Sequence, residues 1–224
     1  TALAAELQDM GAVTTTLSGG EPLLRTDLER IAGAFDSRTC LKLNTTGMGL
    51  TAERANALAE NGLFALGVSL DSTDPTEHDR MRGHEGAFVT AVAALHTASD
   101  AGLYPYVIAV ATREFLEPDH FRSYLKLAAD EGAREIHLLE PSAVGNLAGE
   151  NGVLLDSSER AVILRYQEET SHDDSLPIVS SFAHLESPDA FGCGAGLTHL
   201  YIDGAGEVCP CNLVPLSFGN ITSE

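Results

Sequence analysis

Three polar segments follow apolar or β-branched runs early in the chain, and each carries groups that bind rather than pack. Ser18-Gly19-Gly20-Glu21-Pro22 comes first. Its two glycines allow a sharp turn and close backbone approach to a ligand, and Pro22 fixes the exit from the turn. Glu21 is then held at the strand mouth, where its carboxylate could accept hydrogen bonds from a cation such as an ammonium. Asn44-Thr45-Thr46-Gly47 offers amide and hydroxyl groups that end in a glycine. Ser69-Leu70-Asp71 leads on to His78-Asp79-Arg80-Met81-Arg82-Gly83. A hydroxyl at a strand end suits a ribose, and an arginine beside it suits a carboxylate. Taken singly, these are a Gly-Gly turn, a polar loop and surface pairs of Arg80 and Arg82 with Asp74, Glu77 and Asp79. Taken together, they match a zwitterionic amino acid joined to a nucleoside.

The second chemical feature is sulfur. Of four cysteines, Cys40 stands alone at a strand start and reads as core, while Cys193, Cys209 and Cys211 fall within the last 32 residues. Cys193 opens Cys-Gly-Ala-Gly, and Cys209 and Cys211 each stand near a glycine turn. Thiolates presented this way can converge on an iron–sulfur cluster, or on zinc with His199 as a fourth ligand. A buried reduced pair is the plain reading. A disulfide is the weakest, because an acidic chain with no signal-like start reads as cytoplasmic.

These residues need a scaffold, and the sequence supplies one by alternation. Strands are expected at residues 12–17, 40–44, 64–70, 106–112 and 135–139. Helices are expected at 1–10, 24–35, 52–60, 87–101 and 118–130, most of them closed by Gly or Asn-Gly, with a polar loop over 71–85. Strands alternating with helices imply a parallel sheet, doubly wound or barrel-like, with ligands at the C-terminal strand ends. Residues 142–190 read as a connector with one helix near 157–170. From 191 onward glycine, cysteine and short strands take over, and residues 199–209 read as a hairpin turning at Gly204-Ala205-Gly206. The 224 residues carry 13 basic and 33 acidic side chains, a net charge of −20. That balance argues against nucleic-acid binding and against an anionic membrane surface, and no apolar run approaches the roughly 20 residues of a bilayer span.

In this order and spacing, GGEP, NTTG, VSLDS and HDRMRG resemble the radical S-adenosylmethionine superfamily. The resemblance implies an α/β fold: a partial (β/α)6 TIM-like barrel over residues 1–141, its first strand missing. It implies that Gly19, Gly20, Glu21 and Pro22 line the methionine amino-group site, with Asn44 and Thr46 in the adjoining loop. Ser69, beside Asp71, would face the ribose, and Arg82, before Arg80, would meet the methionine carboxylate. Val110 and Leu139 would lie near the adenine. The stretch FGCGAG…YIDGAGEVCPCNLVPLSFGNI is similar to the start of a SPASM or twitch extension over 191–224, which implies an auxiliary cluster on Cys193 and Cys211 with Cys209 as an extra ligand.

The family's CxxxCxxC motif, which holds the catalytic 4Fe-4S cluster, does not occur in these residues. The resemblance puts it upstream, so the sequence reads as the middle of a longer enzyme and is not expected to cleave S-adenosylmethionine alone. The implied activity of that enzyme is reductive cleavage of S-adenosylmethionine to a 5′-deoxyadenosyl radical, which abstracts hydrogen from a substrate, with peptides or proteins leading. A flavodoxin or ferredoxin would supply the electron. The alternatives are a non-catalytic nucleotide- or peptide-binding relative, and a non-radical barrel lyase with a structural zinc site.

Overall fold

The structure, a computed structural model, describes residues 2–182 and 193–222. A short first helix, α1 (Ala2–Asp9), precedes six strands: β1 (Thr14–Leu17), β2 (Cys40–Thr45), β3 (Leu63–Ser69), β4 (Tyr104–Val110), β5 (Glu135–Leu139) and β6 (Ile178–Ser181). They form one sheet in the order β1-β2-β3-β4-β5-β6, and every neighbouring pair is parallel. A doubly wound sheet reverses its strand order at a switch point. Here the order runs one way from first strand to last, which is barrel-type winding.

Between the strands lie α2 (Leu28–Ala32), α3 (Ala52–Glu60), α4 (Pro75–Arg82), α5 (Ala87–Asp100), α6 (Pro118–Asp130) and α7 (Ser157–Ser171). Side chains alternate across the sheet. Leu41, Leu43, Leu66, Val68, Val107, Ile136, Leu138 and Val179 join one buried core with Leu95 of α5, Tyr124 of α6 and Ile163 of α7. The opposite face carries a separate small cluster made of sheet residues, Ala65, Tyr106 and Ile108 with Tyr104 packed against them. That inner face also carries polar side chains, including Lys42, Asn44, Glu135, His137 and Ser180.

Four expectations need correction. The helix expected over 24–35 is a 3-10 turn at Pro22–Leu24 followed by the five-residue α2, because Arg25 is extended between them. The strand expected at 106–112 runs from Tyr104 to Val110. The loop expected over 71–85 contains α4. Asp74 caps that helix by accepting from the Glu77 amide at 2.9 Å, Pro75 opens it, and Gly83 closes it in the left-handed conformation at φ 65°. The segment read as a connector carries its expected helix, α7, and also β6, which pairs with β5 from Glu135↔Ile178 to Leu138↔Ser181. The sheet therefore runs on past residue 141.

Separately, β7 (Tyr201–Ile202) and β8 (Val208–Cys209) form the expected antiparallel hairpin. Asp203 closes its turn by accepting from the amides of Ala205 and Glu207 at 2.8 and 2.9 Å. The boundary expected at 190/191, with the Phe191-Gly192 start of the cysteine-rich stretch, lies outside the described residues. Among the described residues no helix is long and apolar enough to cross a membrane.

Candidate functional site

The parallel register brings the sequence-selected residues to one edge of the sheet. Leu17 pairs with Leu43, Asn44 with Gly67, Ser69 with Ile108, and Val110 with Leu139, so the segments after β1, β2, β3, β4 and β5 leave from neighbouring strand ends. Ser18, Gly19 and Gly20 are exposed. Gly19 has φ +135°, a conformation that L side chains rarely adopt, and a Cβ on either glycine would meet nothing within 4 Å. The loop is thus bare backbone facing open space, a shape to which a ligand can come close.

Glu21 is hydrogen-bonded within the chain through both carboxylate oxygens. Its Oε1 accepts from the Leu23 amide at 3.0 Å and the Thr45 hydroxyl at 2.6 Å, and its Oε2 accepts from the Thr46 amide at 2.8 Å and the Thr46 hydroxyl at 2.6 Å. A carboxylate has about four acceptor sites. Three of them tie the turn after β1 to Thr45 and Thr46 at the end of β2, and the fourth closes the turn onto Leu23. Burial pushes its pKa up, but the bonds from Thr45, Thr46 and Leu23 outweigh this and hold it below the ordinary value of 4.5. Glu21 thus braces the loop, while the Gly19-Gly20 backbone beside it is exposed. Pro22 is buried beneath it.

The loop after β3 is also internally braced. Arg82 reaches Asp71 at 2.5 Å, with their side chains 30% and 8% exposed. The Asp71 amide donates to His78 Nδ1 at 3.1 Å, and burial keeps the pKa of His78 below its ordinary value, so this ring is a neutral acceptor. Arg80 lies outside the cluster, paired with Glu77 at 2.6 Å on the surface. Of the two arginines, Arg82 is the one beside the strand end. Ser69 sits half-buried at the end of β3, and Val110 and Leu139 offer apolar surface at the ends of β4 and β5. Hydroxyl, guanidinium, bare backbone and apolar wall lie along one edge, a donor set that fits an amino acid joined to a nucleoside.

Asn44 points to the inner face, where its Oδ1 accepts from the Tyr106 hydroxyl at 2.5 Å. The Tyr106 ring fills the space over Gly67, where a Cβ would come within 2.4 Å of it. Lys42 lies 5.7 Å from the centroid of the same ring. Across the face, Ser180 donates to Glu135 at 2.5 Å, and His137 Nδ1 is 2.9 Å from the Ser180 oxygen. Sequence reasoning missed Tyr106, Glu135, His137 and Ser180. The signal was present: a parallel strand covered on both faces reads as continuously apolar, whereas β5 alternates as Glu-Ile-His-Leu-Leu.

The cysteines are only partly gathered. All four are free thiols. Cys209 and Cys211 line one hollow of about 160 Å³ with Tyr201 and Asp203, and Cys193, which is exposed, is not part of that lining. Burial raises the Cys209 pKa, with Asp203, Glu207 and Cys211 adding to the effect. Among the described residues no three His, Cys, Asp or Glu side chains are grouped to hold a metal. Cys40 begins β2, half-buried.

A family model described as the Radical SAM superfamily matches residues 1–114. Over 232 residues the chain is 32% identical to the mycofactocin maturase MftC of Mycolicibacterium smegmatis, covering 98% of this chain and 58% of that protein. It is 28% identical to the PqqA peptide cyclase of Rhizobium meliloti, covering 99% of this chain and 61% of the relative. It is 26% identical to the AdoMet-dependent heme synthase of Nitratidesulfovibrio vulgaris, at 95% and 64% coverage. The chain thus spans less than two thirds of the length of these relatives. Among solved structures, Streptococcus suis SuiB bound to the precursor peptide SuiA superposes with a TM-score of 0.76 at 14% identity, over 98% of this chain and 54% of that one. Native anSMEcpe with bound AdoMet and the Kp18Cys peptide superposes at 0.67 and 16% identity, over 96% and 65%. At these identities the likeness is one of fold.

Proposed function

Because this chain belongs to the radical S-adenosylmethionine (radical SAM) superfamily, we propose that it provides the cofactor-holding edge and inner barrel face of an enzyme that removes hydrogen from a peptide. The observation that carries this reading is the single sheet edge from which the Gly19-Gly20 loop leaves and at which Ser69, Val110 and Leu139 end their strands, with Arg82 held beside it through Asp71. S-adenosylmethionine, reduced by a 4Fe-4S cluster, supplies the hydrogen-abstracting power. The residues of this chain bind and orient. The exposed Gly19-Gly20 backbone offers carbonyl oxygens to the amino group, and Glu21 keeps that backbone in place through its four bonds to β2 and the following turn. Ser69 meets the ribose, and Arg82, steadied by Asp71, meets the carboxylate. Val110 and Leu139 cover the adenine and keep water from it. In this reading CxxxCxxC residues outside these 224 hold the catalytic cluster, and a flavodoxin- or ferredoxin-type protein reduces it.

A peptide substrate is supported by the relatives named for peptide cyclisation and maturation, and by a structural neighbour seen with a precursor peptide. Cys209 and Cys211, which share one hollow, are the leading candidates for auxiliary-cluster ligands, with Cys193 as a third. The test is anaerobic reconstitution of a protein that carries these residues together with the CxxxCxxC segment, followed by assay for 5′-deoxyadenosine. Formation dependent on reductant and S-adenosylmethionine is expected. Iron binding without 5′-deoxyadenosine would return the non-catalytic binding module. Cys211→Ala is expected to lower bound iron, and Cys40→Ala to leave it unchanged.

A further inference from the structure

The inner face of the barrel carries a polar chain that the cofactor edge does not use. His137 sits between Ile108 of β4 and Ser180 of β6 in register, two residues before Leu139 on the same strand and thus one layer beneath the cofactor edge. Ser180 has a single hydroxyl proton, and the 2.5 Å contact gives it to Glu135. Glu135 cannot return one. Burial pushes its pKa up, but bonds from His137 and Ser180, with the charge of Lys42, hold it below the ordinary 4.5, so it is an anion. The Ser180 oxygen is then an acceptor, and the 2.9 Å contact requires His137 Nδ1 to carry the proton. In the neutral ring this leaves Nε2 with its lone pair, and no partner for Nε2 is found among the described residues. The side chain is 26% exposed, and Phe182 packs edge-on at 5.8 Å, limiting rotation of the ring. The other titratable groups on this face are Cys40 and Lys42 from β2 and Tyr104 and Tyr106 from β4, and β6 contributes the Ser180 hydroxyl.

We propose that Glu135, Ser180 and His137 form a one-way hydrogen-bond relay whose free end, His137 Nε2, accepts a hydrogen bond from an N–H of a peptide lying on the inner face of the barrel. The proposal rests on the peptide-modifying reading above. His137 is the residue that touches the peptide, and Ser180 and Glu135 are positioning residues that fix its tautomer. The relay gives the barrel a directional acceptor beneath the cofactor edge, which selects peptides that present a donor at that depth.

The test is nuclear magnetic resonance of the protein labelled with ¹⁵N-histidine and titrated with N-acetylglycinamide as a minimal peptide N–H donor. The wild type is expected to show His137 protonated at Nδ1, with an Nε2 signal that moves saturably with the probe. Ser180→Ala is expected to mix the tautomers and weaken the probe about fivefold, the equivalent of one hydrogen bond. Ser180→Thr, which keeps the hydroxyl, is expected to restore both readings in a protein with the same amide spectrum. An Nε2-protonated wild type, the absence of a saturable shift, or equal affinity in Ser180→Ala would overturn the relay. None of these readings needs a cluster or S-adenosylmethionine. A protein that forms 5′-deoxyadenosine but fails them overturns the relay alone, and one that forms none overturns the reading that gives the relay its peptide.

Discussion

Glu21 illustrates how a side chain in a ligand-binding loop can act on the chain itself. Three of its four accepted bonds join the turn after β1 to Thr45 and Thr46 at the end of β2, and the fourth comes from Leu23 within the turn. Glu21→Ala should therefore destabilise the protein by about 3 kcal/mol, since removing a charged partner strands several donors at once. Urea unfolding would measure this. The sign with pH follows from its lowered pKa: the stabilisation is complete above the ordinary value of 4.5 and is lost as pH falls through the lower folded-state value. Glu21→Gln should flatten that part of the stability profile. Gly67 makes a second prediction at this scale. A Cβ there would strike the Tyr106 ring at 2.4 Å, so Gly67→Ala should cost about 1–3 kcal/mol. In a Tyr106→Ala background, which clears the space, the added cost should vanish, and a double-mutant cycle in urea would show it. The sequence makes the loop's importance legible through Gly-Gly-Glu-Pro. It does not reveal that Glu21 points at Thr45 and Thr46, because that contact depends on where the next strand comes to lie.

At the scale of elements, α4 carries the lesson about what local sequence can say. Its capping signals were all present: Asp74, then Pro75, Glu77 at the third helical position, and Gly83 beyond the end. They were obscured because the helix is polar throughout, with no apolar stripe to set its period. Asp74→Ala should cost about 1 kcal/mol and loosen the Arg82–Asp71 pair that this helix carries, measurable as earlier amide exchange over residues 75–82. The strand β6 was hidden for a different reason. Ile178–Ser181 has four residues, of which only two are buried, and its identity comes from pairing with β5. By contrast α3, α6 and β5 were read to their ends, since Thr51 caps α3, Pro118 opens α6 and Pro141 follows β5 closely. Leu95 on α5 is fully buried against the sheet, so Leu95→Ala should cost about 2–5 kcal/mol in the same unfolding assay.

For the whole molecule, the one-way order of six parallel strands turns separate short motifs into a single edge, and pairing in register lines up residues as far apart in sequence as Ser69, Ile108, His137 and Ser180. The motifs fixed which loops matter, whereas the polar inner face could be seen only once the sheet gave each strand its facing. The cysteine-rich stretch remained local in the structure as in the sequence: a hairpin whose Cys209 and Cys211 share a hollow. The central claim is that the strand-end edge holds S-adenosylmethionine by close backbone approach at Gly20, where a Cβ would meet nothing of the protein's own within 4 Å. The most direct measurement compares 5′-deoxyadenosine formation by reconstituted protein carrying the CxxxCxxC segment with that of its Gly20→Val variant, at matched iron content and matched thermal stability. The account predicts a loss of about 100-fold or more, because a branched side chain would occupy the ground the cofactor needs. Equal rates in the two proteins would contradict it.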